Sequence, residues 1–268
     1  MSSPREVVAP RIREAVELTS AGKDISASLL DARRRAKALP GFPGALPADL
    51  SSAYEIQSHS IGQWPDKVAG WKVGGVPPRW REALGAPWLV GPIFSKSVRT
   101  DRAGETTTMP VFENGFAAIE PELIIQLGES LEQDRMFIGA EIASSPVPAI
   151  NDYGPIAVVC DFGNNNGVLL GQEITEWADH KEPIGVSIWI DGQIIGEKVL
   201  ENAFAGALSA REFCLANAKQ RGIEMPAGTL ISSGAITGVH EAQVGAHSVI
   251  SFGPLGQIEL ELGVAQPL

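Results

Sequence analysis

Ile119-Glu120-Pro121-Glu122-Leu123-Ile124-Ile125-Gln126-Leu127 is the stretch from which the rest of the chain can be read. Its aliphatic, β-branched content predicts an extended strand, in which residues i and i+2 share a face. Glu120 and Glu122 then project together, while Pro121, Leu123, Ile125 and Leu127 fill the opposite side. Two carboxylates held that close repel each other unless a cation lies between them, and hard divalent cations favour such oxygen ligands. A solvated strand face explains the same spacing, and Ile258-Glu259-Leu260-Glu261-Leu262 repeats it as an internal control. The first pair differs in its company: Glu141, in Gly139-Ala140-Glu141 on the next predicted strand, and Lys72, inside Gly70-Trp71-Lys72-Val73-Gly74-Gly75. A lysine in apolar and glycine surroundings either lays its stem over the core with its ammonium in water or is a buried cation facing carboxylates.

Around that strand lie further β-type segments: Val68 to Val73, Ile138 to Ala143, Ile156 to Cys160, Ile184 to Ile190, Ile194 to Val199, Leu230 to Ser232, Val249 to Phe252 and Ile258 to Leu262. Asp191-Gly192 between two of them is a hairpin signal. One helix, Ala210 to Arg221, sits among the strands and should stop at Gly222. The N-terminal part reads differently. Val7, Val8, Ile12, Val16 and Leu18 recur at helical spacing, Leu29 to Leu39 is rich in Ala, Leu and Arg, and Ser52 with Glu55 suggests a capping box before Ile56. Three prolines within Pro40-Gly-Phe-Pro-Gly-Ala-Leu-Pro47 break any continuous helix, so three helices with short connections are expected. The strands and helices do not alternate regularly, which argues against a doubly wound parallel sheet. The expected class is α+β, with a helical N-terminal region over 1–65 and a strand-rich region over 66–268.

The composition narrows the function. The 268 residues carry 21 Lys and Arg against 32 Asp and Glu, a net charge of −11. Such a surface repels phosphate backbones, so no nucleic-acid partner is expected, and an anionic substrate must be met by a local cation or a metal. No apolar run reaches membrane-spanning length and no signal-peptide pattern opens the chain, so the expectation is a cytoplasmic protein away from membranes. Cys160 and Cys214, outside any CxxC pair, read as small buried hydrophobes.

Several enzyme classes lack their signatures. The chain has no GxxxxGK[ST] loop, GxGxxG, HExxH or GxSxG. His59, His180, His240 and His247 are scattered, and their spacing assembles no metal site or triad. Trp64, Trp71, Trp80 and Trp88 are either core or an interface.

The residues resemble the fumarylacetoacetate hydrolase superfamily, and within it the branch of 2-keto-4-pentenoate hydratases and 4-oxalocrotonate decarboxylases. The resemblance runs in order through Ala53-Tyr-Glu-Ile-Gln57, Gly70-Trp-Lys72, Gly91-Pro-Ile-Phe94, Ile119-Glu-Pro-Glu122, Glu141-Ile-Ala-Ser-Ser145, Asp161-Phe-Gly-Asn-Asn165, Gly228 and Ser233-Gly-Ala-Ile-Thr237. It implies a helical region leading into a rolled mixed β-structure. It also implies Mg²⁺ or Mn²⁺ held by Glu120, Glu122 and Glu141, with Lys72 as the acid/base group or the holder of the substrate carboxylate. Asp161 and Asn164 would order water or support the groups that touch it, and Ser233, Gly234 and Thr237 would meet the substrate carboxylate. The implied reaction is hydration of a 2-hydroxy-2,4-dienoate or its 2-keto tautomer. The alternatives are decarboxylation, acylpyruvate C–C hydrolysis, or a non-catalytic partner subunit. Homo-oligomerisation, with a pathway enzyme as a further partner, is implied as well. Two features depart from the family pattern. Only eighteen residues separate Glu122 from Glu141, and Ser95-Lys96 follows Phe94 where an acidic residue is usual.

Overall fold

The computed structural model describes residues 18–268 apart from 103. Two helices lead, α1 (Ser20–Arg34) and α2 (Leu50–Gln63). Next come β1 (Val68–Gly75), the short helix α3 (Pro78–Leu84), β2 (Trp88–Phe94), β3 (Val98–Thr100), β4 (Thr107–Val111), β5 (Phe116–Gln126) and β6 (Arg135–Ser145). Helices α4 (Ile150–Tyr153) and α5 (Pro155–Cys160) precede β7 (Asn165–Ile174), β8 (Ile184–Ile190) and β9 (Gln193–Leu200). The chain closes with α6 (Ala205–Arg221), β10 (Leu230–Ser232), β11 (His240–Glu241), β12 (His247–Ser251) and β13 (Gln257–Val264). This is the expected α+β arrangement, a helical region followed by mixed sheets, one of them curled into a half-barrel.

The first sheet runs β2-β1-β10-β5-β6-β7-β3, with β11 also on β5, and the second runs β4-β13-β12-β8-β9. Both mix parallel and antiparallel pairs: β1 with β10, β3 with β7 and β4 with β13 are parallel. The apolar faces of the two sheets meet in one core that includes Leu123, Ile125 and Ile138 from the first and Ile188, Ile250 and Leu260 from the second. A separate cluster joins Ile25 and Leu29 of α1, Ala53 and Ile56 of α2 and Ala157 to Cys160 of α5 to the back of the first sheet. The N-terminal helices therefore share a core with the β-structure.

Local chemistry explains most boundaries. The Asp49 side chain caps α2 by accepting from the Ser52 backbone N–H at 2.8 Å, so the helix starts earlier than the Ser52–Glu55 capping box suggested. Helix α1 ends at Arg34, short of Leu39. Of the first expected helix only Leu18 falls among the described residues. Asp191 and Gly192 both take positive φ, 51° and 77°, as a tight hairpin between β8 and β9 requires. Gly222, at φ 70°, ends α6 as expected.

Ile156 to Cys160 is helix α5, not a strand. Pro155 fits the first helical turn, where its missing N–H costs nothing, and the segment is too short for its β-branched residues to impose an extended form. Strands β2 and β7, like the shorter β3, β4 and β11, fall outside the expected segments. Pro92 interrupts β2, yet β2 is an edge strand, where a missing donor is tolerated. The Asn165-Asn-Gly167 start of β7 looks like a turn from sequence alone. The tryptophans pack within the chain: Trp71 is core, Trp64 lies against Phe94 and Phe162, Trp88 against Phe213, and Trp80 in the helical cluster.

Candidate metal centre and its pocket

Strand β5 carries a proline in the middle of a sheet, and its pairing explains how. On one side it runs against β6 along its whole length. On the other it pairs with β10 only over Ile124–Gln126 and with β11 only over Ala118–Ile119. The Pro121 carbonyl points to that second side, where it accepts from Ile236 N–H at 2.9 Å. In a strand the N–H and C=O of one residue point the same way, so the missing donor of Pro121 falls in the gap between β10 and β11.

The β5–β6 register places Glu120 opposite Glu141 and Glu122 opposite Gly139. A Cβ on Gly139 would lie 2.7 Å from Ile124 Cγ1 and from the Leu169 carbonyl oxygen, so only glycine fits there. The result is one buried cluster: each of Glu120, Glu122 and Glu141 offers an oxygen within 4.8 Å of the others. Their remaining oxygens are tied back in part. Glu122 Oε2 accepts from Ser232 Oγ and, at 2.9 Å, from Gly234 N–H, while Glu141 Oε1 accepts from Asn165 Nδ2 at 3.0 Å. Glu122 Oε1 and Glu141 Oε2 have no hydrogen-bond partner although both are buried. Buried carboxylate oxygens without donors are costly, and a divalent cation satisfies them all at once. The donor set, three hard anionic oxygens, suits Mg²⁺ or Mn²⁺.

Lys72 resolves to the buried reading. Its side chain is 4% exposed, and Nζ stands 3.3 Å from Glu141 Oε2, an ion-pair distance without hydrogen-bond alignment. The glycines of its motif serve this placement. A Cβ on Gly74 would lie 3.1 Å from Lys72 Nζ, and a Cβ on Gly70 would lie 2.4 Å from the Leu230 carbonyl oxygen, so each clears the approach of a neighbour. Burial alone would lower the Lys72 pKa, and Glu141, Glu120 and Glu122 together raise it above its usual value. Burial and the charge of Glu141 lift Glu120 from 4.5 to about 7 against the pull of Lys72. Burial, then Glu141 and Glu120, push Glu122 well above its ordinary range, against the Ser232 hydrogen bond and Lys72.

A cavity of about 200 Å³ opens onto this cluster. Its buried end is formed by Lys72, Glu120, Leu89 and Asn164, and its exposed end includes Arg79, Asn151 and Val239. Asn164 is held at positive φ, 52°, and its buried Oδ1 has no hydrogen-bond partner. The Asp161 carboxylate is committed elsewhere: Arg33 Nε donates to its Oδ1 at 2.5 Å and Nη2 to its Oδ2 at 2.9 Å. The same guanidinium reaches the Asn165 and Ser144 carbonyls at 3.2 Å, fixing the turn that carries Asn164. Arg33 was not legible from sequence, because Arg33-Arg34-Arg35 looks like a solvated helix end.

Ser233, Gly234 and Thr237 do not line this cavity. Ser233 Oγ donates to the Leu123 carbonyl at 2.7 Å, Gly234 holds Glu122, and Thr237 Oγ1 pairs with His240 Nε2 at 2.8 Å. Ser232, outside the expected site residues, holds Glu122 beside Gly234. No histidine lines the cavity. The control pair behaves differently: Glu259 bonds Thr106 and His247, and Glu261 bonds Thr108, all at the surface.

No family profile and no curated sequence matches the chain. Solved structures do. 4-Oxalocrotonate decarboxylase from Pseudomonas putida G7, complexed with magnesium and adipate, is 16% identical over 93% of this chain and 100% of its own, with a TM-score of 0.74. The chain has the fumarylacetoacetate hydrolase fold. The same decarboxylase with calcium and acetate gives a TM-score of 0.70 at 16% identity over 93% of this chain and all of its own. Fumarylpyruvate hydrolase from Pseudomonas aeruginosa, with Mn²⁺ and pyruvate, shares the fold at 14% identity and a TM-score of 0.52 over 76% of this chain and 94% of its own. Within this fold the buried carboxylate trio is suited to a divalent cation. Among the described residues no helix is long and apolar enough to cross a membrane.

Proposed function

We propose that this chain is a divalent-metal-dependent hydratase that converts a 2-hydroxy-2,4-dienoate, through its 2-keto-enoate tautomer, to a 4-hydroxy-2-oxo acid. The observation that carries this reading is the placement of Lys72 against Glu120, Glu122 and Glu141 at the buried end of a narrow cavity. A bound Mg²⁺ or Mn²⁺ would supply Lewis acidity toward the carboxylate and 2-oxygen of the substrate.

The chain's own residues account for the remainder. Tautomerisation removes the 2-hydroxyl proton and delivers one to C5; Lys72 Nζ is the group inside the cavity that can hold and hand on that proton. Hydration then joins a hydroxyl to C4 and a proton to C3, a net gain of one water. The unpartnered Oδ1 of Asn164 accepts a hydrogen bond from that water and orients it. Arg33 and Asp161 act by holding the Asn164 turn in place. Leu89 and Val158 give the diene an apolar wall and keep bulk water out.

Decarboxylation at the same site is the second reading. It is favoured by the scarcity of bases in the cavity: Lys72, Arg79 and Glu120 are its only ionisable lining groups among the described residues, and loss of CO₂ needs no activated water. Incubating the Mg²⁺-loaded protein with 2-hydroxypenta-2,4-dienoate and with 4-oxalocrotonate, and following products by NMR, separates the two. A 4-hydroxy-2-oxo acid is the expected product. CO₂ release without hydration would support the second reading, and no turnover of either compound would overturn both.

A further inference from the structure

A second cavity, of about 360 Å³, lies apart from the one that opens onto the carboxylates and shares no lining residue with it. Its wall is aromatic, with Trp64, Phe94, Phe112 and Phe162 all contributing. Trp64 and Phe94 meet Phe162 edge to face, with centroids 5.8 and 5.0 Å away. The Arg33 guanidinium stands 5.3 Å from the centroids of both Phe112 and Phe162. Rings packed in this way accept a further ring by edge-to-face or offset stacking.

The mouth of this cavity is cationic. Lys96 and Arg99 line it, both are exposed, and neither is paired with a carboxylate among the described residues. Arg99 commits Nη1 to the Lys96 carbonyl at 3.0 Å, and the Lys96 ammonium has no hydrogen bond. Asp66, the acidic side chain in the lining, is already occupied. Its Oδ1 accepts from Lys67 N–H at 2.8 Å and from Ser95 Oγ at 2.6 Å, and its Oδ2 accepts from Lys96 N–H at 2.8 Å. Lys96 belongs to the Ser95-Lys96 pair that departs from the family pattern, and it lines this cavity and not the candidate metal centre. In a protein of net charge −11, two uncommitted cations beside an aromatic wall attract an anion with apolar bulk.

The backbone behind the wall is strained. Phe162, Gly163 and Asn164 take φ of 57°, 66° and 52°, three left-handed residues in a row. A bulky side chain rarely adopts this conformation, and such strain clusters at ligand sites. One end of the turn presents Asn164 to the first cavity, and the other builds Phe162 into the wall of the second.

We propose that the second cavity binds an aryl carboxylate, its ring against Trp64 and Phe162 and its carboxylate paired with Lys96 and Arg99. The volume takes about one to two fused rings. An aliphatic acid forgoes the ring contacts, and a neutral arene forgoes the ion pairs. The site stands whether or not the metal centre hydrates a dienoate.

The test is calorimetry at neutral pH on the full chain with Mg²⁺ and saturating oxalate, which occupies the metal centre. The probes are 2-naphthoate, 2-naphthol and octanoate. Wild type should bind 2-naphthoate about tenfold or more tighter than either of the others, as a charge-assisted pair added to ring contacts implies. The double variant Lys96→Glu, Arg99→Glu should lose that advantage over 2-naphthol while its affinity for 2-naphthol changes by less than about threefold. Val264→Trp, at an exposed position of the lining, should fill the cavity and abolish binding of both aromatic probes. All three positions are exposed, and a melting curve confirms that each variant is folded. Equal affinity for the three probes, unchanged 2-naphthoate binding in either variant, or displacement of 2-naphthoate by oxalate would overturn the proposal.

Discussion

Glu120 and Glu141 stand directly opposite each other in the antiparallel pairing of β5 and β6, which is why the eighteen residues between Glu122 and Glu141 suffice to build a three-carboxylate site. Directly opposed side chains lie about 5 Å apart at Cβ, close enough for their carboxylates to share one ion. A longer connection between the two acidic segments is unnecessary, because the hairpin itself supplies the convergence.

Metal affinity should depend on pH in a defined direction. Glu120 is lifted to about 7 and Glu122 well above its ordinary range, so protons compete with the cation until both are removed. Affinity for Mg²⁺ should fall by roughly tenfold or more between pH 8 and pH 6, one pK unit or more of proton competition. Calorimetry at pH 6, 7 and 8 reads this, and a flat profile would contradict it.

The metal-free protein should show the opposite dependence in its stability. A carboxyl whose folded pKa is raised binds its proton more tightly folded than unfolded, so the folded state gains from protonation. For Glu120 that contribution is complete below about 4.5 and is lost as pH rises through about 7. Unfolding free energy of the chelator-treated protein should therefore decline from pH 5 to pH 8, by an amount on the order of a few kcal/mol and with a falling melting temperature, and added Mg²⁺ should restore it at pH 8. A melting temperature that rises over this interval would contradict the crowded-carboxylate picture.

Lys72→Met should lower the hydration rate by about 10²- to 10⁴-fold while leaving metal binding intact or tighter. The removed cation competes with the metal for Glu141, whose Oε2 lies 3.3 Å from Nζ. Steady-state rates and Mg²⁺ titration of the same preparation check both halves. A wild-type rate would remove Lys72 from the reaction.

Arg33→Met should destabilise the protein by about 3–5 kcal/mol, because it leaves Asp161 buried and unpaired. Asp161→Asn should cost a similar amount for the converse reason. Denaturant melts measure this, and variants of wild-type stability would contradict the anchoring role of the pair.

Much of the site could be read from residue spacing because strand periodicity is local. The Glu120–Glu122 pair follows from alternation within one strand, and Lys72 stands out by its glycine-rich setting. Spacing could not separate Glu120–Glu122 from Glu259–Glu261, since the difference lies in which strand face the rest of the chain covers. The parts that stayed hidden depend on long-range contacts. Arg33 reaches Asp161 across 128 residues, and Ser232 reaches Glu122 across 110, and neither pairing leaves a mark in the local sequence. Helix α5 was misread because six residues carry too little periodicity to outweigh their β-branched content.

The most direct measurement is anomalous diffraction from a crystal soaked in Mn²⁺. The expected result is one strong manganese peak within coordination distance of Glu120, Glu122 and Glu141, lost in Glu122→Gln. A fully soaked crystal with no peak among these three carboxylates, or with manganese bound only at the surface, would contradict the metal site on which the proposed chemistry depends.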